Sequence, residues 1–291
     1  MIERQGRLLS SEFCITVDGE DVARALDTLA FHATQDGGTT RRHRLEVVRE
    51  GDGYRIREDG QPGEHVPDPA TAGRSVQERV HALALAALDG HAKLHAGCAA
   101  FHGRGVLFAG AGRAGKTTLM TRLLYEGFAV QGDDTVVLRD GWATAFPRRF
   151  RVRRGTLALV PQLSPRTPPW AVDSPPNGYH VLVVDPLELG FTWRIAPIPV
   201  DAVFLLEPAH GRPSRAVPCP RYQMARHLMS QSRAPAGGAR AWIGEIATLV
   251  GRATCYVLEL GDLDSAVRAV NDALANAMGG SHPSNMATAE G

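Results

Sequence analysis

Apolar and polar positions along the chain switch between a two-residue and a helical period, and the switches divide it into elements. Phe13 to Val17 reads as a strand, and Val22, Leu26, Leu29 and Ala30 make a helical stripe within residues 22–33. Leu45 to Val48 and Tyr54 to Arg57 read as two strands joined by the turn Gly51-Asp52-Gly53. Pro62 to Gly73 reads as a proline- and glycine-rich connector. Ser75 then has the look of an N-cap, with Glu78 completing a capping box, ahead of a helix over Val76 to Leu88. From Leu94 to about Val137 the pattern is strand, turn, strand, glycine-rich loop, helix, strand.

Further on, Val181 to Val184 and Ala202 to Leu206 are apolar enough for central strands. Between them and the glycine-rich loop lies a proline-rich stretch, Pro161 to Gly178, which reads as a substrate-facing flap. Tyr222 to Ser230 and Ala241 to Leu249 read as helices, Thr254 to Leu258 as a strand, and Leu263 to Ala277 as a helix capped by Asp262. The expected organisation is a small N-terminal α+β unit (residues 1–75), a nucleotide-binding domain (76–278) and a polar tail (279–291), with no internal repeat.

The glycine-rich loop carries the most chemistry. Gly110-Ala111-Gly112-Arg113-Ala114-Gly115-Lys116-Thr117 fits G-x-x-x-x-G-K-[ST], after a buried-strand run (Val106 to Ala109) and before a helical pattern (Leu119, Met120, Leu123, Leu124). In that setting the glycines let backbone N–H groups turn toward phosphate oxygens, and the helix adds its positive dipole end. Residues 110–118, Thr118 included, are the expected nucleotide contacts. Lys116 is expected at the β- and γ-phosphates and the Thr117 hydroxyl at Mg²⁺.

A short strand, Phe128 to Gly132, runs into Asp133-Asp134. One carboxylate there can hold Mg²⁺ and the other can accept a proton from an attacking hydroxyl. His95 stands where a helix ends and the strand before the loop strand begins. His81, His91 and His102 lack metal-site spacing. Arg148, Arg149, Arg151, Arg153 and Arg154 interleave with Phe150 and Val152, so on a strand a basic ridge would back onto an apolar face. That ridge is either a solvated face or a site for phosphates or an acidic peptide. The four tryptophans read as packing residues, with Trp170 in the proline-rich stretch as the open case.

Composition narrows the partners. A formal charge of +1 across 291 residues gives no ground for nucleic-acid or membrane binding. No apolar run is long enough for a signal peptide or a membrane span, so a cytoplasmic protein is expected. Cys14, Cys98, Cys219 and Cys255 are far apart and read as buried or half-buried thiols. The guanine-reading N-K-x-D motif and the L-S-G-G-Q signature are missing from the sequence.

The run from His95 to Asp134 resembles the core of the HPr kinase/phosphorylase family and the wider group of HPr-kinase-like serine kinases. The resemblance rests on His95-Ala96, Arg104-Gly105-Val106-Leu107, Gly110 to Thr117, Gly127 and Asp133-Asp134. It implies an α/β fold with a phosphoenolpyruvate carboxykinase/HPr kinase-like P-loop core and a mixed sheet. It also implies Asp133 as base, Asp134 and Thr117 as metal partners, and His95 as a site residue close to Asp133. Two family features differ. Val152-Arg153-Arg154-Gly155 has no acid where the family carries a metal-binding glutamate, and His210-Gly211-Arg212-Pro213 only faintly echoes the family's proline-glycine-arginine loop. The layout is closer to divergent members beside modified-peptide pathways, including lasso-peptide kinases. The expected activity is ATP- and Mg²⁺-dependent phosphorylation of a hydroxyl, a serine of a peptide or small protein, with homo-oligomerisation left open. The alternatives are a small-molecule kinase on the same fold and a non-catalytic nucleotide-dependent binding protein.

Overall fold

The computed structural model describes residues 1–31, 41–88, 90–166, 172–173, 181–234 and 238–279. The chain opens with β1 (Ile2–Leu8), β2 (Ser11–Val17), a short α1 (Glu20–Ala25), β3 (Arg41–Glu50), β4 (Gly53–Glu58), β5 (His65–Val66) and α2 (Pro69–Ala86). The five strands form one sheet in sequence order, antiparallel except for the parallel pair β2 and β3. Alternate residues Phe13, Ile15 and Val17 of β2 and Leu45 and Val47 of β3 point into a core closed by Val76 and Val80 of α2.

Two readings of this region need correction. The stripe Val22, Leu26, Leu29 and Ala30 is buried, but the α-helix stops at Ala25 and tightens into a 3₁₀ turn, Leu26–Thr28. Helix α2 begins at Pro69, not after Ser75. The Asp68 side chain accepts from Thr71 N at 2.8 Å, and proline at the first helical position gives up an N–H that no helix bonds. The division drawn at residue 75 therefore falls inside α2. The tail from residue 280 lies outside the described residues, as does most of the proline-rich stretch after Arg166 and with it Trp170.

The rest of the chain contributes β6 (Ala92–Leu94), β7 (Ala96–Phe101), β8 (Arg104–Ala109), α3 (Lys116–Tyr125), β9 (Ala129–Gly132), β10 (Val136–Arg139), β11 (Trp142–Ala145), β12 (Phe150–Arg153) and α4 (Arg154–Leu159). These are followed by β13 (Val172–Asp173), β14 (Val181–Val184), β15 (Ile198–Pro208), β16 (Arg215–Pro218), α5 (Arg221–Ser230), β17 (Ser232–Arg233), α6 (Ala239–Arg252), β18 (Thr254–Leu260) and α7 (Leu263–Gly279). The architecture is mixed α/β. Parallel strands β8, β15 and β18 form the centre of the large sheet, with β7, β9 and β16 added antiparallel to their neighbours. Strands β11, β10, β6 and β17 branch from the start of β15.

Strand β8 is buried on both faces. Val106 and Phe108 pack with α3 and α7, while Leu107 and Ala109 pack with α5 and α6, giving three layers. Ala202 to Leu206 lies in this centre, as its apolar run indicates. Val181 to Val184 does not; it is the middle strand of a separate three-stranded sheet with β12 and β13. No helix among the described residues is long and apolar enough to cross a membrane. All four cysteines are free thiols, three of them buried.

Candidate functional site

Strand directions bring distant segments to one edge of the sheet. β8 ends at Ala109 and feeds the glycine-rich loop. β7 runs antiparallel to β8 with Ala96 opposite Ala109, so His95, just before β7, stands at that edge. β9 runs antiparallel to β7 with Gly132 opposite Cys98, so its carboxyl end, followed by Asp133 and Asp134, reaches the same edge. Ligands of open α/β sheets gather at the carboxyl ends of parallel strands for this geometric reason.

The loop is shaped by its sequence. Gly115 caps α3 at φ 93°, in left-handed space, and a Cβ there would lie 2.7 Å from Leu260 Cδ2 at the end of β18. No side chain caps α3, which leaves its first N–H groups facing the loop. Helix α3 is seated closely on β7, since a Cβ on Gly97 would meet Met120 Sδ at 2.7 Å. Lys116 is 6% exposed, and its ammonium donates to the carbonyls of Gly110 at 2.6 Å and Ala111 at 3.1 Å. Burial pushes its pKa down, opposed by the charges of Asp134 and Asp133.

Asp133 is 6% exposed. Burial raises its carboxyl to about 6, against the Thr117 hydroxyl and the Arg148 charge, which pull it down; the Asp134 charge adds to the rise. Asp134 is differently engaged. Its Oδ2 accepts from Arg148 at 2.6 Å and from the Thr135 hydroxyl at 3.1 Å, and its Oδ1 lies 3.4 Å from His95 Nδ1. His95 Nδ1 donates to the Asp134 carbonyl oxygen at 2.8 Å, which fixes a proton on Nδ1 and leaves Nε2 as the second ring nitrogen. The contacts of His95 are thus with Asp134, the second carboxylate, whereas the resemblance associates it with the first.

His95, Arg113, Gly115, Lys116, Thr117, Thr118, Asp133 and Asp134 all line one cleft of about 290 Å³. Gly110, Ala111, Gly112 and Ala114 complete the loop that borders it. Four further residues line it: Arg148, Arg151 and Arg153, which the sequence leaves open between a solvated face and a phosphate or acidic-peptide site, and Thr156, which the sequence does not single out. Phe150 and Val152 are fully buried, so alternation turns Arg151 and Arg153 outward into the cleft, and the Thr156 hydroxyl meets that of Thr118 at 2.8 Å. The interleaved arginines were the signal for this wall. Thr156 had none, because its approach to α3 depends on how β12 packs. Arg149 takes another direction, forming an ion pair with Asp185 at 3.0 Å.

Five cationic side chains against two carboxylates suit a polyanion. The hydroxyl and carboxylate oxygens of Thr117, Asp133 and Asp134 are hard donors of the kind magnesium takes. Arg148 and a metal ion would compete for Asp134 Oδ2. A separate group, His43, Glu58 and Asp59, brings its ligand atoms within 4.8 Å of one another, but it belongs to β3 and β4. There Glu58 pairs with Arg79, and Asp59 accepts from the Arg44 N–H at 2.8 Å. No protein-family model matches the chain, and no curated protein matches it.

Proposed function

We propose that the chain is an ATP- and Mg²⁺-dependent kinase that transfers the γ-phosphoryl group to a hydroxyl, a serine of a peptide or small protein. The observation that carries this reading is geometric: a buried carboxyl, Asp133, and the adjacent carboxylate Asp134 line one cleft with the lysine and threonine of a glycine-rich loop, and burial raises the Asp133 carboxyl to about 6. A proton acceptor with a pKa near the working pH is what general-base catalysis needs. The parallel centre with antiparallel flanks is compatible with the phosphoenolpyruvate carboxykinase/HPr kinase-like core that the resemblance implies.

In this reading the loop N–H groups and Lys116 hold the β- and γ-phosphates. Asp133 accepts the proton of the acceptor hydroxyl as the acceptor oxygen bonds to Pγ, and the bond from Pγ to the bridging oxygen breaks with its electron pair leaving on ADP. Thr117 and Asp134 would hold magnesium, which when bound would neutralise phosphate charge. Arg148 and His95 orient Asp134. Phosphoryl transfer asks for alignment and charge balance above all, and the cleft offers both.

A second reading, nucleotide binding without transfer, is favoured by one observation: Val152, which stands where the resemblance expects a metal-binding acid, is fully buried in the core, and its neighbour Arg153 lines the cleft instead. Calorimetric titration of ATP with Mg²⁺ into wild type and Asp134→Ala, followed by radiolabel transfer to serine peptides, separates the two. Binding that weakens in the variant, with label incorporated, supports the kinase. Binding without label in any acceptor supports the second reading, and no binding by wild type rejects both.

A further inference from the structure

Behind the phosphate cleft lies a second, larger one of about 910 Å³. The two adjoin, because His95, Arg148 and Arg151 line both. The remainder of the second cleft is built from α2, from β6 and from the turn between α5 and β17. Its volume is about three times that of the phosphate cleft and near the top of the ~300–1,000 Å³ range of ligand sites.

Its lining has two characters. Ala82, Leu85 and Ala86 offer a small apolar strip one helical turn deep along α2. Arg148 is paired with Asp134 at the boundary of the two clefts, and Lys93 and Arg151 line this one with Glu78 as the acid among its described lining residues. His81, also in the wall, is held neutral at pH 7 by burial, with its ring edge-on to Phe146 at 5.1 Å between centroids. An occupant matched to this surface is longer than a phosphate tail, partly apolar, and negatively charged.

We propose that this second cleft receives the acceptor, an extended peptide segment with acidic side chains near the reacting hydroxyl. The segment lies along α2 and β6 with its acidic groups toward Lys93 and Arg151, and its hydroxyl reaches Asp133 past the shared wall of His95 and Arg151. This inference rests on the kinase reading above and adds where the acceptor binds and what charge it carries. It also gives residues 69–86 a part in the site: α2 packs on the N-terminal sheet through Val76 and Val80 and lines the cleft with residues that lie between and beyond them.

The test uses the full chain and two synthetic serine nonapeptides, one with aspartate and glutamate flanking the serine and one with lysine there. Calorimetry with Mg·ATP is run first on wild type, Lys93→Glu and Ala86→Trp. Ala86 is an exposed position on α2, so its replacement narrows the cleft without entering the core. Expected is phosphorylation of the acidic peptide in preference to the basic one. Both variants should raise KM for the acidic peptide roughly ten-fold or more at unchanged Mg·ATP affinity, and Lys93→Glu should improve the basic peptide. Normal Mg·ATP binding and peptide phosphorylation, with KM the same in all three proteins, would overturn the acceptor site and leave the kinase standing. Preference for the basic peptide, or label entering only small acidic metabolites, would also overturn it. Failure of wild type to bind Mg·ATP would remove the kinase reading itself and this inference with it.

Discussion

Each cleft holds one group whose titration is moved far from its ordinary value, and the contrast between those groups separates a functional burden from a structural fit. In the smaller cleft burial lifts Asp133 to about 6, so at pH 7 the carboxylate is charged in a place that disfavours charge. In the larger one burial, aided by the Arg148 and Arg151 charges, lowers His81 to about 4, so at pH 7 the imidazole is neutral where neutrality costs nothing. The same desolvation acts on both side chains. Of these two, Asp133 alone is held at neutral pH in the form its surroundings oppose, as a group used for proton transfer would be.

Four measurements on three variants would break or sharpen this contrast. The largest effect belongs to Asp133→Asn, which should lower kcat by ~10²–10⁴-fold while Mg·ATP affinity stays within a few-fold, read by peptide phosphorylation and calorimetry. Near-normal turnover would remove Asp133 from the role of base.

The second concerns stability without metal. The folded carboxyl sits at about 6 against an ordinary 3.8, so the native state holds the proton more tightly than the unfolded chain. Its contribution is fully present below about 3.8 and is lost as pH rises through 6. Asp133→Asn should therefore be more stable than wild type by about 3 kcal/mol at pH 8, with the gap closing toward pH 4 in urea melts. A pH-independent gap would mean that burial does not govern this carboxyl.

Third, Lys116→Ala removes a charged donor from the loop and should weaken Mg·ATP by roughly 10–100-fold. Calorimetry showing unchanged affinity would separate the loop from nucleotide binding. The smallest effect is expected at His81, which is only partly buried. Its folded pKa of about 4 lies below the ordinary 6.5, so between those values the unfolded state takes up a proton that the native state refuses. Stability should fall as pH drops through that window, and His81→Gln should flatten the slope by on the order of 1 kcal/mol in thermal melts.

Much of the smaller cleft was legible because its signals are local. The loop spacing, the Val106 to Ala109 strand, the α3 stripe and the carboxylates after β9 each fit in a window shorter than fifteen residues. The helices α5 and α6 and the Asp262 cap of α7, where Ser265 N donates to Oδ1 at 2.8 Å, were legible on the same grounds. Pairings between distant strands were not. Nothing in Val181 to Val184 says that it joins β12 rather than β15, since an apolar run of four fits either sheet. The α2 start was misread even though its signal was present, because Asp68-Pro69 at the end of a proline-rich stretch reads equally as loop or as cap. β1, half exposed with the sequence Ile2-Glu3-Arg4-Gln5-Gly6, has no strong alternation to reveal it. The larger cleft was invisible for a related reason: its walls come from α2, β6 and the α5–β17 turn, which meet only in the folded chain.

The contact between Gly115 and Leu260 also bears on when the site can come into being. The loop and both aspartates leave the ribosome early, but the β15 and β18 strands that complete the sheet beneath them, and the leucine under Gly115, are made much later. A nascent chain that already carries the whole loop motif lacks the platform that shapes it. In the proposed kinase, competence to hold a triphosphate would therefore arrive late in synthesis, and a chain broken off before β18 would bind no nucleotide.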